Sequence, residues 1–373
     1  MNIMKKSLVL DLDNTLWGGV LGEDGPDGIA LGFDAKGASF LAFQQAILDL
    51  YNRGVILAIN SKNTYEDAMR VIRSHPNMVL KENNFAAIRI NWNDKAANMR
   101  EIAAELNIGL DSFLFLDDDP VNREMMREVL PEVETPELPD NATHFAKFLM
   151  DLPYFKGGVI TDEDKMRGNL YVTERLRKAA EKDFASPNDF LKSLEIEAGF
   201  YQDERSNIAR LAQLTEKTNQ FNMNKTPLSE DEISKYIDDP NHLVIHAEAR
   251  DKFGDYGIIG FAVINKSAKD WRIRSMLMSC RALGRGIEEA FLDMLAGAAR
   301  ENNAVKLRIA FAKTEKNEPA EIFLNKYFTS LDSNPAVKAG GGGGGNLTGF
   351  TDYYYDLVSE SIMPAWIKTS WKK

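Results

Sequence analysis

Four short apolar runs set the terms for the first third of the chain: "SLVLDLD" (residues 7–13), "GVILAINS" (54–61), "FAAIRIN" (85–91) and "SFLFLDDD" (112–119). Each has the length of a strand and stays apolar through successive positions, the pattern of a strand covered on both faces. Between them lie stretches with helical spacing. Phe40, Phe43, Ile47 and Leu50 share one face of the first; Met99, Ile102, Ala103 and Leu106 share one face of the third, which Gly109 ends. Parallel neighbours need a crossover helix, so strand and helix in alternation predict an α/β fold with a doubly wound, Rossmann-like parallel sheet.

In such a sheet, ligands bind beyond the carboxyl ends of the strands. Those ends are polar here. Asp11 and Asp13 follow the first run, Ser61 ends the second, Lys95 opens the helix after the third, and Asp117, Asp118 and Asp119 close the fourth. Two carboxylates one residue apart put an oxygen nucleophile and a proton donor in one crevice, with Thr15 fixing the turn. Asp and Asn also cap strand–helix turns, but capping does not account for the other three ends. Phosphoryl transfer needs a divalent cation, neutralised non-bridging oxygens and an aimed nucleophile. Asp11, the Asp13 carbonyl, Asp117 and Asp118 offer an oxygen shell for Mg2+, and Ser61 and Lys95 can hold the phosphate. A surface salt bridge is the plainer account of Lys95, yet it would not require a lysine after a strand's carboxyl end.

The 373 residues exceed the ~250–300 at which single cores stop growing. The pattern divides into a first domain (1–151), a charged helical connector (152–185) and a mixed α+β domain (186–373). A net charge of −11 without a Lys/Arg block argues against nucleic acid and anionic membranes as partners. The single cysteine excludes an internal disulfide, and the N-terminal stretch reaches acidic residues too soon for a signal peptide or a span. A cytoplasmic protein is expected.

In the second half, "HLVIHAEARDKFGDYGIIGFAVI" predicts a hairpin turning at residues 254–257, and "WRIRSMLMSC" a strand that runs into "RALGRG" (281–286) and a helix. Gly284 and Gly286, with Arg281 and Arg285, fit a loop whose amides approach a phosphate at a helix N-terminus; the plainer account is a tight turn. The lone thiol, Cys280, stands directly before it. On the residues alone, a thiol ending an apolar strand belongs to the core. His242 and His246 share one strand face and suit packing, with no zinc site implied. Six glycines at 340–345 read as coil with no catalytic role.

"DLDNT", "AINSKN", "NWNDKAAN" and "FLFLDDDP" together resemble the four ordered motifs of the haloacid dehalogenase (HAD) superfamily, and "LWGGVLGEDG" is similar to its FkbH-like branch, subfamily IIIC. The resemblance implies an aspartyl phosphate on Asp11 and acid/base work by Asp13. It also implies phosphate contacts from Thr15, Ser61 and Lys95, and a metal pair of Asp117 and Asp118. Asn60 stands where many relatives carry cysteine, and Asp119, where asparagine is usual, is expected to tune metal affinity.

"KTNQFN", "DKFGDYGIIG", "MSCRALGRGIE" and "TEKN" resemble the C-terminal half of FkbH-like proteins, and the glycine loop resembles the coenzyme A pyrophosphate loop of the GNAT acetyltransferase fold. That family is associated with glyceryl transfer from 1,3-bisphosphoglycerate to the phosphopantetheine thiol of an acyl carrier protein. Cys280 is then implied as the acyl acceptor, and Arg281, Gly284, Arg285 and Gly286 as the pantetheine or CoA cradle. Three other readings stay open: a phosphatase of a small metabolite, a coenzyme A-dependent N-acyltransferase, and a second domain that only docks a carrier.

Overall fold

The computed structural model describes residues 4–155, 162–267, 269–331, 350–358 and 360–372. The chain divides into two compact units, Met1–Lys182 and Asp183–Lys373. The glycines at 340–345 lie outside the described residues.

In the first unit, β1 (Ser7–Leu10), β2 (Ile56–Ser61), β3 (Phe85–Ile90) and β4 (Phe113–Leu116) form a wholly parallel sheet in the order β3-β2-β1-β4. The helices are α1 (Leu21–Asp24), α2 (Gly37–Asn52), α3 (Tyr65–Ser74), α4 (Lys95–Leu106), α5 (Pro120–Val129), α6 (Phe145–Asp151) and α7 (Asp162–Glu181). Alternate strand residues feed two cores. Leu8, Leu10, Leu57 and Ile59 pack with Phe43, Ile47 and Leu50 of α2, while Val9, Ile56, Ala58 and Phe115 pack with Met99 and Ile102 of α4. Burying such a side chain stabilises by about 1.5–3 kcal/mol, which is why the runs are apolar at consecutive positions.

The chain builds outward from β1 through β2 to β3 and then returns to place β4 on the other side of β1. The switch point therefore lies between β1 and β4.

Helix α4 stops short of Gly109: Asn107 caps it with a left-handed φ of 52°, a conformation asparagine tolerates. Helix α7, which covers most of the stretch expected as a connector, packs on β3. Val172 enters the core there, and Arg175 Nε donates to the Phe85 carbonyl at 3.1 Å.

The second unit holds α8 (Pro187–Ser193), β5 (Ile196–Gln202), α9 (Ile208–Lys217), β6 (Phe221–Asn222), α10 (Glu230–Asp238), β7 (His242–Asp251), β8 (Gly254–Asn265) and β9 (Asp270–Met278). It continues with α11 (Ile287–Glu301), β10 (Lys306–Phe311), α12 (Glu318–Tyr327), β11 (Thr329–Ser330), β12 (Thr351–Asp356) and β13 (Ile367–Lys372). The mixed sheet runs β11-β12-β10-β9-β8-β7-β5-β13. The β7–β8 turn sits at Lys252 and Phe253, earlier than the glycines suggest, because Asp251 Oδ1 accepts from the amides of Phe253 (2.9 Å) and Gly254 (3.1 Å).

Strands β9 and β10 run parallel only as far as the Ile273–Ile309 pair. Beyond it the chain inserts residues 221–223 into the widening gap. There β6 pairs with β9, Met223 N–H donates to the Met276 carbonyl at 3.1 Å, and Ala312 N–H donates to the Met223 carbonyl at 2.8 Å. Both strand histidines pack as expected: His246 stacks on Tyr201 at 4.8 Å and His242 lies 4.8 Å from Tyr236.

Candidate active site

At the end of β1 the chain turns sharply: the amides of Thr15, Leu16 and Trp17 all return to the Leu12 carbonyl, and Asn14 takes a φ of 53°. The turn leaves Asp11, 6% exposed, at the sheet's carboxyl edge. Lys95, the first residue of α4 and 1% exposed, reaches the same point. Its Nζ lies 2.9 Å from Asp11 Oδ1 and 2.6 Å from Asp117 Oδ2. Asn60 Nδ2 holds the helix start by donating to the Lys95 carbonyl at 2.8 Å, and Asn98 Nδ2 in turn donates to Asn60 Oδ1 at 3.1 Å. The asparagine in the second motif thus anchors the helix that carries the lysine.

Asp117, Asp118 and Asp11 offer carboxylate oxygens within 4.8 Å of one another, the cluster of three that could hold a metal ion among the described residues. Arg123 Nη1 fixes the strand end by donating to the carbonyls of Asp117 (2.8 Å) and Asp118 (2.6 Å). Thr15 turns to Asp118, its Oγ1 donating at 3.4 Å, so it orients a carboxylate. Asp119 stands outside the cluster. Its side chain caps α5 by accepting from Val121 N–H at 2.9 Å.

Burial alone would lower the Lys95 ammonium, but the Asp11 and Asp117 charges outweigh it and hold the group above its ordinary value. Burial, then the Asp11 charge, pushes Asp117 up against the pull of Lys95. Asp118 is pushed up to about 6, by burial first and then by the charges of Asp11 and Asp117. Asp11 Oδ1 is buried, and among the described residues its partner is the Lys95 ammonium of the ion pair. Three crowded carboxylates with a single ammonium are short of positive charge, and hard oxygen ligands suit Mg2+. The residues fit that ion.

The Asp13 carboxylate is held apart from the cluster. Oδ1 accepts from Trp17 Nε1 (2.8 Å) and Leu21 N–H (3.2 Å), and Oδ2 accepts from Asn63 Nδ2 (3.0 Å). Only its carbonyl is left to serve a metal. Ser61 ends β2, buried, with no hydrogen bond to its hydroxyl among the described residues. Trp17, Asn63 and Arg123 were not singled out from the sequence, although the first two sit inside the motif stretches "TLW" and "SKN".

In the second unit Cys280 is exposed, two residues past the end of β9 at Met278 and first in the single 3-10 turn Cys280–Ala282, and the core reading of the thiol does not hold. Gly284 and Gly286 take φ values of 76° and 86°, which side chains disfavour, and Gly286 caps α11. Trp366 Nε1 donates to the Arg285 carbonyl at 2.9 Å, and a Cβ on Gly286 would approach Pro364 to 2.9 Å. One loop amide is already engaged: Gly284 N–H donates to Glu288 Oε1 at 2.8 Å. Glu288 is buried and pushed up to about 7, by burial first and then by the Glu289 charge.

No protein-family model matches the chain, and no curated protein matches it. Among solved structures, the N-terminal part of a Bacteroides fragilis protein, containing a phosphatase domain complexed with Mg, is 45% identical over 41% of this chain and 41% of that one, with a TM-score of 0.40. The match thus spans well under half of that structure's length. A putative acetyltransferase of the GNAT family from Desulfovibrio desulfuricans is 13% identical over 43% of this chain and 99% of that one (TM-score 0.31). An N-acetyltransferase from Thermoplasma acidophilum in complex with coenzyme A is 11% identical over 34% of this chain and 71% of that one (TM-score 0.26). The fold is the expected parallel α/β sheet followed by a mixed α+β unit, and no described helix is long and apolar enough to cross a membrane.

Proposed function

We propose that the first unit is a Mg2+-dependent phosphatase working through an aspartyl phosphate, and that it serves glyceryl transfer by Cys280 to an acyl carrier protein. The observation that carries the first half is the Lys95 ammonium bridging Asp11 and Asp117 beside Asp118. Asp11 is the nucleophile: its carboxylate oxygen bonds to phosphorus as the ester oxygen leaves, and Asp13 protonates the departing alkoxide. Water then attacks the phosphorus, Asp13 takes its proton, and inorganic phosphate leaves with Asp11 restored. Lys95 and the Ser61 hydroxyl hold the non-bridging oxygens. Bound by Asp11, Asp117, Asp118 and the Asp13 carbonyl, Mg2+ supplies charge neutralisation for the phosphoryl group.

For the second half, the Cys280 thiolate attacks the acyl phosphate of 1,3-bisphosphoglycerate, releasing inorganic phosphate and leaving a phosphoglyceryl thioester. The first unit hydrolyses the remaining phosphate ester, and the pantetheine thiol of the carrier exchanges with Cys280. The exposure of Cys280 supports this order, since a carrier-borne thiol must reach it. The engaged Gly284 amide favours a second reading, a phosphatase of a small phosphorylated metabolite whose second unit holds no coenzyme.

Intact-protein mass spectrometry after incubation with 1,3-bisphosphoglycerate and Mg2+ separates the two. A hydroxylamine-labile glyceryl adduct lost in Cys280→Ala supports transfer. Phosphate release from simple esters with no adduct in either protein leaves the phosphatase alone.

A further inference from the structure

Strand β13 stands at the end of the second unit's sheet: it pairs in parallel with β5 on one side, and among the described residues its other side meets no strand. Its side chains alternate between the two faces. Lys368, Ser370 and Lys372 share one face with Glu197, Gly199 and Tyr201 of β5; Thr369 and Trp371 share the other with Phe200, whose ring stacks on Phe291 of α11 at 5.5 Å. On the first face both lysines are exposed, and neither has an ion pair among the described residues. Glu197 is taken by Arg250, and Lys372 Nζ donates to the Tyr201 hydroxyl at 3.0 Å.

On the second face Trp371 and α11 enclose a cleft of about 520 Å³, with Met294, Gly297 and Ala298 in its lining. A Cβ on Gly297 would meet nothing within 4 Å, so the notch there is open. The Trp371 indole N–H is buried without a hydrogen-bond partner, and a buried donor is ordinarily paired. Arg300 and Glu301 oppose one another in charge, and Asp293 is held by Ser361 Oγ and Ile362 N–H, each donating at 3.0 Å. The cleft therefore calls for a neutral acceptor.

We propose that β13 takes up an acidic, extended peptide segment of another protein as a further strand. The free edge supplies main-chain hydrogen bonds, and the two faces supply the side-chain preferences. Acidic side chains at alternate positions lie beside Lys368 and Lys372. Between them a side chain with an apolar stem and an amide tip, glutamine, enters the cleft, where its carbonyl accepts from Trp371 Nε1. Lysine at an edge ordinarily wards off other strands; here it selects among them by charge. A second copy of β13 paired antiparallel about Ser370 would set Lys368 against Lys372, like charge opposite like, so the occupant is not a copy of this strand. The surface uses neither Cys280 nor the carboxylates of the first unit.

The test is fluorescence anisotropy, with the full chain titrated into a labelled seven-residue peptide that carries glutamate at its odd positions, glutamine at the centre and threonine at the remaining two. Reversing both charges, Lys368→Glu with Lys372→Glu, should weaken binding about tenfold or more without disturbing the fold, since both positions are exposed. Trp371→Phe should weaken it about threefold and leave unchanged the binding of a peptide with leucine in place of the glutamine. A peptide with lysine for every glutamate should bind at least about tenfold more weakly. N-methylation of alternate peptide amides should abolish binding for one of the two alternate sets, which a purely electrostatic contact would not require. The proposal is overturned if the glutamate peptide does not bind, if the lysine peptide binds as well, if both N-methylated peptides bind like the parent, or if the double charge reversal or Trp371→Phe leaves the affinity unchanged.

Discussion

Lys95 Nζ stands 2.9 Å from Asp11 Oδ1, with both side chains almost wholly buried. A buried nucleophile kept ionised by one ammonium depends on it for charge balance and for stability. Lys95→Met should lower kcat for phosphoester hydrolysis by about 10²–10³. Without metal, it should also destabilise the chain by about 3 kcal/mol, because two carboxylates lose their counter-ion. Saturating Mg2+ should recover much of that stability and little of the rate. Phosphate release and urea unfolding, each measured with Mg2+ and with EDTA, check both parts.

Asp118 links metal affinity to pH. Its carboxyl is pushed up to about 6, so a cation must displace a proton below that value, and Mg2+ affinity should climb as pH rises through 6 and then level off. Stability without metal runs the other way. A raised carboxyl favours the folded state below the unfolded value of about 4, and that contribution is lost as pH rises through 6. Asp118→Asn should flatten both curves. Mg2+ titrations and thermal melts from pH 5 to pH 8 would show it.

Trp17 acts on catalysis through Asp13. Its indole N–H is the shortest of the three donors that hold that carboxylate, at 2.8 Å. Trp17→Phe keeps the buried ring and removes the bond, so kcat should fall about tenfold with KM little changed. A purely structural role would instead appear in the melting curve with kcat intact.

Much of this was legible in the sequence, for a physical reason. A strand covered on both faces must be apolar throughout, so β1 to β4 announced themselves, and the polar residues at their ends could be assigned to one crevice before any contact was known. Cys280 was the opposite case: its composition pointed to core, and only the motif resemblance pointed outward, where the structure places it. What stayed hidden depends on tertiary contact. The hold of Asn63 on Asp13 spans fifty positions of sequence, and the insertion of residues 221–223 between β9 and β10 leaves no periodic trace. Helix α7 reads from its charge as a connector, yet Val172, Tyr171 and Leu176 pack it into the core behind the sheet.

Glu288 makes the last prediction, and it bears on whether the glycine loop holds a phosphate. Its carboxyl accepts from Gly284 N–H through Oε1, has no partner for Oε2 among the described residues and is pushed up to about 7. Because burial raises it, the folded state is favoured below the unfolded value of about 4.3, and this is lost as pH rises through 7. Glu288→Gln keeps the acceptor and removes the charge, so at pH 8 it should stabilise the chain by on the order of 2 kcal/mol, with no gain at pH 4. The same substitution removes a negative charge from the loop amide that a pyrophosphate would use. Coenzyme A titrated at pH 8 should therefore bind the variant about fivefold tighter than the parent. A stabilised variant with unchanged coenzyme affinity would show that the loop amides are not the phosphate seat and that Gly284 and Gly286 serve the turn alone.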